Sequence, residues 1–255
     1  MILTTVVAAN DPTGSANPIH RDDGARALGL KGGLVGGTTL YGYLALAAID
    51  LWGEEWLAHG GITARFRSPV YDGDELRLML HDDAVADDRL VELVNAEGTP
   101  CATATISPPT TTTPVETPDA DAVPSGLPLI NYEVLRSLPG LVGISFTPGA
   151  NGGATTTARP SFGWLSRDLV SPEAIAPASI SIMYATFRAE GPRILTGLTT
   201  RQFRTVSGGE ELSAHGKIIK AWRYKDRTYA TNSVLVSTST NLPVMHIENT
   251  TIWNL

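Results

Sequence analysis

The chain has 255 residues, 42% of them hydrophobic, a mean hydropathy of +0.01 and a formal charge of −7, the profile of an ordinary soluble globular protein with room for one large domain or two small ones. An acidic chain gains nothing from meeting a phosphate backbone, which argues against nucleic acid as a partner. A single cysteine, Cys101, excludes an intrachain disulfide and a cysteine-based zinc site.

The first residues, MILTTVVAANDP, lack the basic start and long apolar run of a secretory signal, so a soluble cytoplasmic protein is expected. The segment GSANPIHRDD follows, with Asn17, Pro18 and His20 close together in a polar stretch. Asp22 and Asp23 are placed to cap a short helix over about 24–28. A glycine-rich run, Gly32-Gly33-Leu34-Val35-Gly36-Gly37, leads into TTLYGYLALAAIDLWGEEWL. That stretch predicts a helix over 38–57, apolar nearly all round and therefore wrapped by other structure. Its most apolar window, 38–49, is shorter than the ~20 residues a membrane crossing requires.

Next come Phe66-Arg67, a turn with Gly73, and Asp74-Glu75-Leu76, reading as strand, turn and strand. Two β-rich runs at 89–95 and 99–107 follow, with Glu97-Gly98 marking the hairpin between them. The stretch 107–126, SPPTTTTPVETPDADAVPSG, has five prolines and no aromatic residue. It reads as a linker between two halves, 1–106 and 127–255. In the second half Ser171-Pro172-Glu173 signals a helix start, with the helix running to about Arg188. Phe203-Arg204, a turn at Gly208-Gly209, and Glu210-Glu211-Leu212 then repeat the first half's pattern after deletion of one residue. Runs at 217–224 and 228–237 follow, separated by Lys225-Asp226. Each half is thus one buried helix plus an antiparallel meander, an α+β arrangement.

Two further stretches draw notice. GANGGATTTA at 149–158 is rich in small residues and predicts space for a bulky or extended ligand. Lys217, Lys220, Arg223, Lys225 and Arg227 form a basic run, read as a solvated strand face in preference to a phosphate- or carrier-binding surface. His20, His59, His81, His215 and His246 are scattered with no pair at ligand spacing, so no metal site is expected. Neither a dinucleotide fingerprint nor a phosphate-binding Gly-Lys-Ser/Thr loop is present, so no bound cofactor is expected.

The stretch NPIH, then RDDGARALGLKGGLVGGTTLYGYL, then ARFRSPVYDGDELRL, resembles the MaoC-like (R)-specific enoyl-CoA hydratase/dehydratase family. The resemblance covers roughly residues 15–80 with recognisable motifs, and the second half as a degenerate copy. It implies a double hot dog fold, in which two antiparallel sheets form one continuous curved sheet and each half wraps a long central helix. It also implies a substrate carried as a thioester on coenzyme A or a carrier protein, and a monomer (pseudo-dimer) or homodimer.

Adding or removing water across an α,β-unsaturated thioester needs an acid or base near the reacting carbons and donors for the enolate oxygen. His20 suits the first task, with an unperturbed pKa near 6.5. Backbone amides of residues 32–37 suit the second, since unpaired N–H groups at a helix start favour a developing anion. The resemblance carries His20 and Ser15 as catalytic positions and Asn17, Gly36, Gly37 and Thr38 as substrate-binding ones. Two departures from the family pattern matter. The family has an aspartate five residues before the histidine, where this chain has Ser15, and often a histidine where it has Gly36. Asp11 in NDPTG is the nearest alternative carboxylate, in a position typical of a turn former. Three functions stay open: a lyase or related proton-transfer enzyme on an acyl or polyketide thioester, a hot dog thioesterase, and a non-catalytic acyl-binding protein. For the thioesterase, Glu54 and Glu55 lie too far along the helix to serve.

Overall fold

The run ELRLML alternates in the structure as its pattern demands, with Leu76, Leu78 and Leu80 buried between more exposed neighbours. The computed structural model describes residues 1–13, 15–81, 87–114, 123–149 and 168–253. The first half contains β1 (Ile2–Val7), α1 (Asp22–Arg26), α2 (Gly37–Trp52), α3 (Trp56–His59), β2 (Gly61–Phe66), β3 (Glu75–Leu80), β4 (Arg89–Val94) and β5 (Pro100–Ser107). The second contains α4 (Tyr132–Arg136), β6 (Ile144–Phe146), α5 (Pro172–Ile175), α6 (Ala178–Thr186), β7 (Arg193–Gln202), β8 (Leu212–Tyr224), β9 (Arg227–Thr238) and β10 (Pro243–Trp253).

All ten strands form one antiparallel sheet in the order β1-β3-β4-β5-β2-β7-β10-β9-β8-β6. The order is symmetric about the β2–β7 junction: β6, β8, β9, β10 and β7 repeat β1, β3, β4, β5 and β2. At that junction Arg65 lies opposite Gly197 and Arg201 opposite Gly61. A Cβ on Gly197 would fall 2.2 Å from Arg65 Nη1, so the glycine makes room for the crossing arginine. α2 packs against β2, β3, β4, β5 and β7, and α6 against β6, β8, β9 and β10, so each helix is cradled largely by its own half.

The repeat extends to hydrogen bonds. Val35 N donates to Val70 O at 2.9 Å, and Val170 N to Val206 O at 2.9 Å. Gly73 at φ 80° and Gly209 at φ 85° occupy matching turns, where an L side chain would be strained. In each turn a carboxylate folds back onto a backbone amide: Asp74 takes Tyr71 N–H at 2.8 Å, and Glu210 takes Ser207 N–H at 3.3 Å.

Four expectations are corrected. The first long helix ends at Trp52, because Gly53 turns to φ 64°, and a short 3-10 turn and α3 carry the chain onward. The second helix is broken after Ile175 and resumes at Ala178, since Pro177 has no N–H to continue the ladder; it ends at Thr186, whose hydroxyl donates to Ile182 O at 2.8 Å. Residues 212–224 make one strand, so the run at 217–224 is its distal part, and β7 pairs with β2 on one side and on the other with β10, a strand the sequence pattern does not mark. Asp22 does not cap α1: its carboxylate accepts from Gly33 N and from Arg26 Nη2, both at 2.9 Å. The β8–β9 hairpin does turn at Lys225 and Asp226, both at positive φ (47° and 61°), the twist a two-residue loop requires. Residues 115–122 of the linker and 150–158 of the small-residue run lie outside the described residues.

Candidate active site

Asn17 opens a 3-10 turn, Pro18–His20, with Pro18 at its first position, where the missing N–H costs nothing. Ile19 of that turn is buried, which anchors the loop and leaves His20 at the cavity edge. The His20 backbone is held by two contacts. Its carbonyl accepts from Asn10 Nδ2 at 2.8 Å, and Gly33 packs so tightly against it that a Cβ there would stand 2.2 Å from the oxygen. The ring is held as well. Nδ1 lies 2.8 Å from Leu34 O, and a carbonyl only accepts, so Nδ1 carries the proton and Nε2 keeps its lone pair. Burial pulls the imidazole below its ordinary pKa; the Leu34 carbonyl raises it and the Arg193 charge lowers it further. The ring is therefore neutral and basic at Nε2 at neutral pH.

Nε2 has Asn17 Nδ2 3.5 Å away, and Asn17 itself joins the halves. Its Nδ2 donates to Arg193 O at 2.8 Å and its Oδ1 accepts from Arg193 N at 3.2 Å. The amide thus acts as a substitute strand partner for the first residue of β7, with both residues buried.

A cavity of about 480 Å³ opens at this junction, within the range of small-molecule sites. Its walls are the 15–20 loop, residues 34–38 with Leu40, the β2–β3 connection 66–70, α6, the start of β7 and the end of β10. Ser15, Asn17, His20, Gly36, Gly37 and Thr38 all line it, so the fold gathers every sequence-derived site residue at one place. The expected oxyanion donors are narrowed. Gly33 N–H already serves Asp22, Leu34 N–H bonds Ile19 O at 2.9 Å, and Val35 N–H bonds Val70 O. The amides of Gly36, Gly37 and Thr38, at the start of α2, have no partner among the described residues. A Cβ on Gly36 would lie 3.9 Å from His20 Cε1, so the ring and these donors adjoin.

Ser15 Oγ accepts from Asn17 N at 3.2 Å. Asp11 is exposed and takes Thr13 N–H at 3.0 Å, a local turn outside the cavity wall. Glu54 and Glu55 are exposed at the far end of α2. The basic run is exposed on the β8–β9 hairpin, with Lys220 over Trp222 at 4.9 Å and Arg223 over Tyr132 at 4.4 Å, and does not reach the cavity. Among the described residues no Asp or Glu lines the cavity.

Sequence reading missed the second-half wall: Arg193 and Trp253, which face each other across β7 and β10, together with Tyr184, Asn249 and Thr251. Arg193 is only 5% exposed, its guanidinium 4.5 Å above the Tyr184 ring. In one dimension it looks like any strand-edge arginine. The signal was in β10, whose inward residues Asn249 and Thr251 are polar and buried; polar groups on a core face want a reason.

The duplicated position in the second half has a different chemistry. By the Val35/Val170 correspondence, Gly36-Gly37-Thr38 matches Ser171-Pro172-Glu173. There Pro172 removes a donor, and Ser171 Oγ donates to the buried Glu173 carboxylate. An oxyanion meets amides at one helix start and a carboxylate at the other.

Ten strands in one curved antiparallel sheet with a helix in each half define a double hot dog. No protein-family model and no curated protein matches the sequence, while solved structures match across the whole chain. A protein described as a MaoC domain dehydratase, from Chloroflexus aurantiacus, superposes with a TM-score of 0.62 at 14% identity, covering 99% of this chain and 93% of its own. A conserved Mycobacterium tuberculosis protein with a double hot dog fold gives 0.61 at 11% identity, over 100% and 95%. One described as an oleoyl thioesterase, from Lactobacillus plantarum, gives 0.55 at 14% identity, over 99% and 96%. At these identities the likeness carries the fold, and one fold hosts several chemistries. No helix among the described residues is long and apolar enough to cross a membrane.

Proposed function

We propose that the protein is a lyase, or a related proton-transfer enzyme, acting on an acyl or polyketide thioester carried by coenzyme A or a carrier protein. One observation carries this reading. His20, its proton held on Nδ1 by Leu34 O, turns a basic Nε2 toward a cavity where the amides of Gly36, Gly37 and Thr38 stand unpartnered. A thioester carbonyl bound by those amides gains most as its oxygen becomes an enolate. Nε2 removes the α-proton, the C–H electron pair becomes the new C=C bond, and the β-C–O bond breaks. The imidazolium returns the proton to the departing hydroxyl, which leaves as water. One group serves both steps, so no carboxylate is needed. The same proton shuttle supports isomerisation or ring closure. A thioesterase reading is less supported, since no Asp or Glu lines the cavity among the described residues.

The test uses crotonyl-CoA and 3-hydroxybutyryl-CoA, following the enoyl thioester by absorbance and free thiol in parallel. Enoyl interconversion without thiol is expected, and His20→Ala is expected to reduce it about 10²- to 10⁴-fold, the usual contribution of a general acid–base group. Near-wild-type rates in that variant would remove His20 from the mechanism. Thiol release would point to the thioesterase instead. Ser15→Asp is expected to raise hydration activity if a second acid/base is the missing part.

A further inference from the structure

We infer that the acyl group taken by this cavity carries a carboxylate of its own, received by Arg193 and Trp253. The inference deepens the thioester reading and rests on it for the carrier end of the substrate. The two side chains are register partners in β7 and β10, so they project from the same face of the sheet, and both line the cavity. Both are nine-tenths buried or more, Arg193 at 5% and Trp253 at 3% exposure. Arg193 Nη1 donates to Gly191 O at 3.2 Å. Arg193 Nε and Nη2 and Trp253 Nε1 make no hydrogen bond of ordinary geometry among the described residues; the side chain nearest the guanidinium is Tyr184, a neutral phenol that interacts with it without supplying negative charge.

All three orphan atoms are donors, and none of these groups can accept. Nε and Nη2 share one edge of the guanidinium, the pair of parallel N–H groups that a carboxylate takes in bidentate fashion. Among the described residues the lining contains no Asp or Glu; besides His20, its titratable cations are Arg193 and Arg67. A buried, unneutralised guanidinium is destabilising, and a ligand carboxylate, admitted by a small shift of these side chains, is the group that neutralises it and accepts from its free edge, with the Trp253 N–H as a further donor on the same wall. A plain alkyl chain would satisfy none and would leave them stranded.

The test compares ω-carboxyacyl-CoAs of four to six carbons, succinyl to adipyl, with butyryl- to hexanoyl-CoA, and includes free glutarate as a third arm. Affinities are read by calorimetry, with Trp fluorescence as an independent signal. The wild type is expected to bind at least one ω-carboxyacyl-CoA about 10- to 100-fold tighter than its alkyl counterpart, the range for charge-assisted hydrogen bonds. Arg193→Met is expected to erase the preference while keeping alkyl-CoA binding, and Arg193→Lys to keep only part of it. Trp253→Phe checks the third donor and is expected to reduce the preference by several-fold. Equal binding of the two series by the wild type overturns the inference and leaves the thioester reading standing, as does a preference that survives in Arg193→Met. Stabilisation by glutarate with no binding of any CoA ester upholds the carboxylate site and refutes the thioester reading. If no probe binds, both fall.

Discussion

Replacing Asn17 with alanine is expected to loosen the joint between the two halves, with a cost that follows from the hydrogen bonds. Asn17 satisfies both backbone groups of Arg193, accepting from its N–H at 3.2 Å and donating to its C=O at 2.8 Å. Both residues are buried, so water does not readily replace the lost amide. Each stranded buried group costs about 1–3 kcal/mol, and relaxation makes the total about 2–4 kcal/mol. For a chain of this size that corresponds to a Tm lower by about 4–16 °C. Urea unfolding followed by circular dichroism measures it, with an unchanged m value separating a stability change from a change in compactness. Asn17→Asp sharpens the test. It keeps an acceptor for Arg193 N–H but sets an oxygen against Arg193 O, so it is expected to cost at least as much as alanine at pH 7 and less at acidic pH, where the carboxyl is protonated. A loss below about 0.5 kcal/mol in Asn17→Ala, the size of an ordinary surface substitution, would refute the bridging role.

Three other outcomes are expected. Burial holds the folded-state pKa values of His20 and His246 below their ordinary value, so the unfolded chain takes up protons first as pH falls. Their contribution to stability is therefore complete above about pH 6.5 and is lost as pH drops below it toward the folded values; urea titrations from pH 7.5 to 5 should show the decline, and His20→Gln should flatten it. The buried Cys101, its thiol pushed up by burial, is expected to resist a thiol reagent in the native protein and to react fully in urea, and rapid native labelling would contradict this packing. Gly33→Ala forces a Cβ to within 2.2 Å of His20 O and 2.9 Å of Asn10 Nδ2, and is expected to cost about 1–3 kcal/mol as an overpacked site; enoyl turnover should fall with it, because the shift lands on the catalytic loop.

The elements that could be read from the chain are those whose reason is local. Leu76, Leu78 and Leu80 alternate because a strand has a period of two, Gly73 and Gly209 mark positive-φ turns, and the apolar stretch after Gly37 can only be a wrapped helix. The Asn-Pro-Ile-His segment is legible through its resemblance to a known family and through the proline turn its consecutive residues encode, while the approach of His20 to the helix start is a contact between residues 16 apart. Where the local signal is mixed the sequence is silent: Asn249 and Thr251 interrupt the inward apolar row of β10, and their polarity is explained by a buried network in which Asn249 donates to Ser179 Oγ and Thr251 donates to Asn249 Oδ1 beside the cavity.

What the sequence by itself determined is the repeated strand-and-helix pattern and the helix start after the glycine run, both products of short-range sterics and periodicity, while His20 stands out through the resemblance its segment carries. Only the tertiary structure decided which amides stay free, since Gly33, Leu34 and Val35 lose theirs to partners from α1, the 18–20 turn and the β2–β3 connection. It alone set Arg193 opposite Trp253 and both on the wall of a cavity lined by a histidine more than 170 residues earlier in the chain. Burial and charge pairing are properties of neighbours in space, and a chain specifies them only once its two halves close on each other.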